Sequence, residues 1–379
     1  MSGFALAADT LFDGAELRHD AAVVVAGDTV RAVVPVSDVA SGVPVYRLPA
    51  GAWLAPGFID LQVNGGGDVL FNDAPTSEGL DAIVRAHRRF GTTALLPTLI
   101  TDTKETMRRA RAAVAAAMPR EPGVLGIHFE GPFLSRPGVH DPALMRAPDA
   151  DDLAFLTAPF PGVVLVTLAP EVAPAGFVAA LTDAGVRVAL GHSNASYEET
   201  RAAIAEGLRG FTHLFNAMLP LASRAPGPIA AALETPEAWY GLIVDGVHVA
   251  PAMLRLALRG VGQPLLITDA MPPVGGTDGG FALQRRPIRL RGGELRDMAG
   301  NLAGSVLDMA SAVRNCTRLL GLPLPDALRM AAAAPAAALR LGDRLGRLAP
   351  GYRADFVALD PETVEVLGSW VAGDGGLHR

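Results

Sequence analysis

Five of the eight histidines in this 379-residue chain sit in or next to short polar motifs that follow apolar runs, together with one glutamate and two aspartates. The motifs are His128-Phe129-Glu130-Gly131-Pro132, Gly191-His192-Ser193-Asn194, Thr212-His213-Leu214-Phe215-Asn216, Asp245-Gly246-Val247-His248 and Thr268-Asp269-Ala270-Met271, with His140 in the loop after the first. Glu130, His192 and His213 offer one oxygen and two imidazole nitrogens. That set suits zinc with a fourth position left for water, the makeup of a catalytic site; a structural zinc site is closed by four protein ligands. A lone histidine is more often satisfied by local hydrogen bonds, but three donors and an aspartate at four separate run ends make coincidence a poor explanation. Asp269 is then placed to take a proton from water and return it to a leaving group, a use that outweighs the helix-capping role common for such an aspartate. His128, two residues before Glu130, stays outside the ligand set. Cys316 is the only cysteine, which rules out an internal disulfide and a cysteine-held metal, and it reads as a buried helix residue.

The elements that must position these residues follow from the hydrophobic pattern. Eight apolar runs, Trp53–Val63, Thr93–Ile100, Val124–Phe129, Val163–Ala169, Val186–Leu190, Gly210–Phe215, Tyr240–Val244 and Leu265–Thr268, alternate with segments of helical periodicity such as Glu78–Phe90 and Ser196–Glu206. This is the α/β pattern of a (β/α)8 TIM-like barrel, which builds its active site at the C-terminal ends of its strands. An open doubly wound sheet is the structural alternative, weakened by the lack of a glycine-rich phosphate-binding turn after the first strand. Residues 4–48 read as short strands such as Ala22–Ala26 and Val30–Val34, and Asp355–Leu359 and Thr363–Leu367 have the same character. The expected organisation is a small β-sandwich domain made from residues 1–52 and 346–379 around a barrel of residues 53–345.

Composition narrows the partners. Half of the residues are hydrophobic and mean hydropathy is +0.30, yet no apolar run of about 18 residues spans a membrane. The opening Met1-Ser2-Gly3-Phe4 lacks the pattern of a secretory signal, so a cytoplasmic protein is expected. A net charge of −7 and a pI near 5.6 argue against nucleic acid, while a local pocket can still recognise a small anion.

These motifs resemble the N-acetylglucosamine-6-phosphate deacetylase family of the amidohydrolase superfamily. The resemblance runs over nearly the whole chain and rests on Pro56 to Gly65, His128 to Phe133, Gly191 to Ala195, Thr212 to Met218, Thr268 to Met271 and Gly346 to Asp355. It implies hydrolysis of N-acetyl-D-glucosamine 6-phosphate to D-glucosamine 6-phosphate and acetate. It also implies Glu130, His192 and His213 as metal ligands, Asp269 as acid/base and His140 as the group that polarises the acetamide carbonyl. Asn216, Ala217, His248, Arg224 and the segment Leu302-Ala303-Gly304 correspond to sugar-phosphate contacts, with Arg224 reaching a neighbouring subunit's site in a homodimer. Many relatives in the superfamily carry His-x-His at the first strand for a second metal. Here those positions are Gln62 and Asn64, poor zinc ligands, so one divalent ion per subunit is expected, zinc first and iron or another metal as alternatives, with Gln62 facing the reacting water. N-acetylgalactosamine 6-phosphate as substrate, and a non-catalytic sugar-phosphate-binding barrel, remain the competing readings. The glycine-rich stretch from Pro273 to Gly280 reads either as a mobile lid or as the approach to a hairpin.

Overall fold

The computed structural model describes residues 3–378. Its central sheet has eight parallel strands whose spatial order is their order in the chain: Phe58–Val63, Thr92–Ile100, Gly126–Glu130, Val163–Leu168, Arg187–Leu190, Gly210–Phe211, Trp239–Leu242 and Gln263–Leu266. The first two are buried along their whole length, as parallel strands covered on both faces must be. The eighth strand returns to the first just beyond their ends, where Val63 bridges Ala270, Asp269 N–H donates to Gln62 O and Asn64 N–H donates to Ala270 O. Deeper in this seam Thr268 Oγ1 donates to Asp60 Oδ2 at 2.6 Å.

Helices separate successive barrel strands, and their sequences carry their own start signals. Ser77–Arg88 buries Leu80, Ile83, Val84 and His87, an i, i+3, i+4, i+7 stripe, and begins where Thr76 Oγ1 accepts from Gly79 N–H. Tyr197–Ala205 opens with a reciprocal capping box between Ser196 and Glu199, and Ala150–Thr157 with one between Asp149 and Asp152. After the eighth strand the chain makes a three-stranded antiparallel sheet, Gly280–Leu283, Arg286–Arg291 and Glu294–Arg296, before the helices Met309–Asn315, Leu324–Ala331 and Ala333–Ala338. The glycine-rich approach to that sheet is tied down: Asp68 accepts from Thr277 N–H and Asp278 N–H, so the segment has the hairpin-approach form.

The chain ends meet in one further sheet of eight strands, six of them Phe4–Phe12, Leu17–Ala26, Thr29–Pro35, Phe356–Leu359, Val366–Val371 and Asp374–Leu377. Its two halves share one core, including Leu11, Val23, Leu54, Phe356 and Trp370, so the expected sandwich is a single sheet folded around that core. Two expectations shift here. Trp53–Pro56 does not belong to the first barrel strand but pairs with Phe4–Phe12 and Phe356–Leu359; the break falls at Gly57, where a Cβ would collide with Thr93. The last long strand begins at Val366, not Thr363, because Asp360 Oδ1 accepts from Glu362 and Thr363 N–H and holds them in a turn. Among the described residues no helix is long and apolar enough to cross a membrane.

Candidate active site

Glu130 is the last residue of the third barrel strand, while His192 and His213 lie two residues beyond the fifth and sixth. The two histidines and Asp269 all have left-handed backbones, φ +49°, +33° and +53°. Non-glycine residues adopt this region rarely, at a cost of about 1–3 kcal/mol each, and it clusters at functional sites. Here it turns three side chains into the mouth of the barrel. Glu171 steadies the surrounding loops, accepting from Ser193 Oγ, Ser135 Oγ and Asn194 N–H at 2.5–2.7 Å.

Nε2 of His213 lies 2.9 Å, and Nε2 of His192 3.3 Å, from the same Glu130 oxygen, and the two nitrogens are 3.1 Å apart. A tetrahedral ion with bonds of about 2.0–2.2 Å would set its donors about 3.3 Å apart, so the three donors fit such an ion. His192 Nδ1–H donates to Arg136 O at 2.8 Å, leaving its Nε2 lone pair for the cluster. His213 Nδ1 is buried without a hydrogen-bond partner among the described residues. Burial would raise the Glu130 pKa, but the two imidazoles override it and hold the carboxyl well below its usual range.

Asp269 is buried beside this cluster. Burial first, then the charge of Glu130, pushes its pKa up to about 6. Both first-strand amides converge on one of its oxygens: Asn64 Nδ2 donates to Oδ1 at 2.6 Å and Gln62 Nε2 at 3.1 Å. Gln62 thus faces Asp269, not the cavity, and Oδ1 is held while Oδ2 receives no hydrogen bond from the described residues. His140 brings a ring nitrogen within 4.8 Å of donor atoms of Glu130 and His192. Its Nδ1 is held by Thr101, 2.7 Å from the hydroxyl and 3.4 Å from the backbone N–H, which turns Nε2 toward the cluster; burial and the charge of His192 lower its pKa well below the usual value, so the ring is neutral. The His140 loop is hooked to the post-barrel sheet, where Gln284 accepts from Asp141 N–H and donates to Thr101 O, and Arg286 donates to Val139 O.

Glu130, His140, His192, His213 and Asp269 open into one cavity of about 230 Å³, lined further by Asn216, Ala217, His248, Leu302 and Gly304. His248 Nδ1 pairs with Asp245 Oδ2 at 2.6 Å, which leaves its other nitrogen for the cavity. Ala303 is buried in the hydrophobic cluster behind the wall and does not line it. Arg224 lies exposed on the turn Ala222–Ala225, outside this chain's own cavity. His128 is occupied elsewhere, between Thr98 Oγ1 and Thr167 Oγ1 inside the barrel. The sequence reading missed Arg136, a cation in the cavity wall; its signal was a basic residue four positions before His140. It also missed Thr101 and the clamp on Asp269, which depend on contacts between strands far apart in sequence.

The arrangement gathers three donors spaced for a metal ion, a buried carboxyl with one free oxygen, a neutral imidazole, an arginine and the free nitrogen of His248 in one pocket, the parts of a hydrolytic site for an anionic substrate. Comparison with known proteins agrees with it. The model of the amidohydrolase family matches residues 53–374. An N-acetylgalactosamine-6-phosphate deacetylase from Shewanella sp. (strain ANA-3) is 45% identical over 337 residues, covering 87% of this chain and 84% of that protein. The crystal structure of N-acetylglucosamine-6-phosphate deacetylase from Pasteurella multocida superposes with a TM-score of 0.95 at 33% identity, covering 99% of this chain and 100% of that one. A variant of the N-acetyl-D-glucosamine-6-phosphate deacetylase from Mycobacterium smegmatis, solved in complex with N-acetyl-D-glucosamine 6-phosphate, superposes with a TM-score of 0.90 at 38% identity, each chain covered to 99%.

Proposed function

This chain belongs to the amidohydrolase family, and we propose that it hydrolyses the acetamide of N-acetyl-D-glucosamine 6-phosphate, giving D-glucosamine 6-phosphate and acetate. The observation that carries the reading is the convergence of Glu130, His192 and His213 within 3.3 Å of one another, with Asp269 and His140 opening into the same cavity.

Glu130, His192 and His213 would hold one divalent ion, zinc by ligand type. Such an ion, when bound, supplies Lewis acidity and lowers the pKa of a water. The chain's own groups do the rest. Asp269 Oδ2 takes the proton of the attacking water, while Gln62 and Asn64 fix the other oxygen and so the direction of the free one. His140 donates from Nε2 to the acetyl oxygen as charge develops there; a neutral imidazole can do this without first gaining a proton. Once the tetrahedral carbon has formed, Asp269 passes its proton to the sugar nitrogen, and the C–N bond breaks to release the amine and acetate.

The phosphate is met by His248, Arg136 and Asn216, with the Ala217 backbone beside them and Leu302 and Gly304 as a wall for the sugar. Gln62 and Ala303 serve this site from behind. Arg224, exposed and outside its own cavity, is free to complete the phosphate site of a second copy, and a cytoplasmic homodimer is the finer form of this proposal. The 45% identical relative favours a second reading, N-acetylgalactosamine 6-phosphate, which differs by one inverted hydroxyl. Measuring kcat/KM on the two epimers tests the choice: higher efficiency on the gluco epimer upholds the first reading, and the reverse order replaces it.

A further inference from the structure

At the opposite, N-terminal face of the barrel lies a cavity of about 820 Å³, several times the volume of the active-site cavity. It opens where the third, fourth and fifth strands begin, between Val124, Val163 and Arg187, and is closed on its other side by the segment Leu339–Leu345. Four arginines line it, Arg187, Arg340, Arg344 and Arg353, and no acidic residue does. Among the described residues only Arg353 has a carboxylate partner, Asp355. Arg187 spends its guanidinium on the carbonyls of Leu339 and Gly185, which fixes its position without neutralising it. Arg340 stands close enough for its charge to disfavour that of Arg187, after burial. Four arginines with one carboxylate partner between them are unexpected in a chain of net charge −7.

We propose that this cavity is a second ligand site, for a small phosphate-bearing molecule. Guanidinium groups match phosphate oxygens in bidentate geometry, and a recessed site lined by one sign of charge concentrates counter-ions. The volume falls within the roughly 300–1,000 Å³ of small-molecule sites. Met118, Leu156 and Phe160 line the same cavity and give an apolar surface for the uncharged body of an organic phosphate. The site is separate from the catalytic one, since its residues lie at strand beginnings and the catalytic residues at strand ends.

Calorimetric titration of the metal-loaded protein tests this, with the active site first saturated by glucosamine 6-phosphate. The probes are adenosine 5′-diphosphate and inorganic pyrophosphate. Saturable binding of one probe molecule per chain is expected, weakening as salt is raised. The double variant Arg340→Ser/Arg344→Ser, at two exposed positions outside the catalytic machinery, should weaken it by roughly tenfold or more while leaving deacetylation unchanged. Preference for the diphosphate nucleoside upholds an organic ligand, and equal binding of both probes upholds recognition of the phosphates alone. Absence of saturable binding by either probe, or binding that the double variant leaves intact, overturns the proposal.

Discussion

Asp269 illustrates how a residue's role depends on what holds it. Two amides from the first strand converge on Oδ1, so the proton chemistry is left to Oδ2. Asn64→Ala removes the shorter of these bonds; kcat should fall roughly tenfold or more, the scale of one hydrogen bond to a charged group, with KM and metal content little changed. Equal kcat in the variant and the parent protein would remove the positioning role. Burial and Glu130 push Asp269 up to about 6, and the positive charge of a bound ion pulls it down again. The base form is needed for attack, so activity should be lost as pH falls through an apparent pKa at or below about 6. Asp269→Asn should retain metal yet lose at least about 10²-fold in kcat at every pH. Much of this site was legible because its side-chain types are rare and sit in short motifs. The clamp, the hold of Thr101 on His140 and the place of Arg136 were not, because each depends on which distant strand end the residue meets.

Elements were legible where hydrophobic period and caps agree. Ser196 and Glu199 mark the start of Tyr197–Ala205 in the sequence and cap it in the fold. Ser196→Ala should therefore cost about 1 kcal/mol in denaturant unfolding and leave catalysis nearly intact. Apolar runs located the barrel strands but not their ends. The run Gly210–Phe215 yields only Gly210–Phe211 as strand, because the chain turns left-handed at His213 to aim its ring into the site. The seam between first and eighth strands holds a buried acid, Asp60, pushed up to about 7 chiefly by burial. Its folded pKa lies above the ordinary 3.8, so the fold favours the protonated form. That contribution is complete at low pH and is lost as pH rises from about 4 to about 7. Asp60→Asn mimics the neutral form. Its stability relative to the parent should rise across that window, measured as unfolding midpoints of the metal-free proteins at pH 5 and pH 8; a difference independent of pH would contradict the assignment.

Across the whole molecule, Glu130, His192 and His213 come from three strands of one barrel, so an ion held by them ties those strands together and binds only the folded chain. Removing it with a chelator should lower Tm and abolish activity together, and zinc should restore both. Elemental analysis should return one ion per chain, since Gln62 and Asn64 are engaged with Asp269 and offer no second site. The barrel and the meeting of the chain ends were visible in the alternation of apolar runs, whereas the transfer of Trp53–Pro56 to the terminal sheet was not, because Gly57 interrupts a run that is apolar on both sides. The central claim is tested most directly by measuring acetate release from N-acetylglucosamine 6-phosphate with protein of known metal content. The account predicts turnover proportional to bound metal up to one ion per chain, and far lower efficiency on N-acetylglucosamine without its phosphate. Turnover that is independent of metal, or equal on the two sugars, would contradict it.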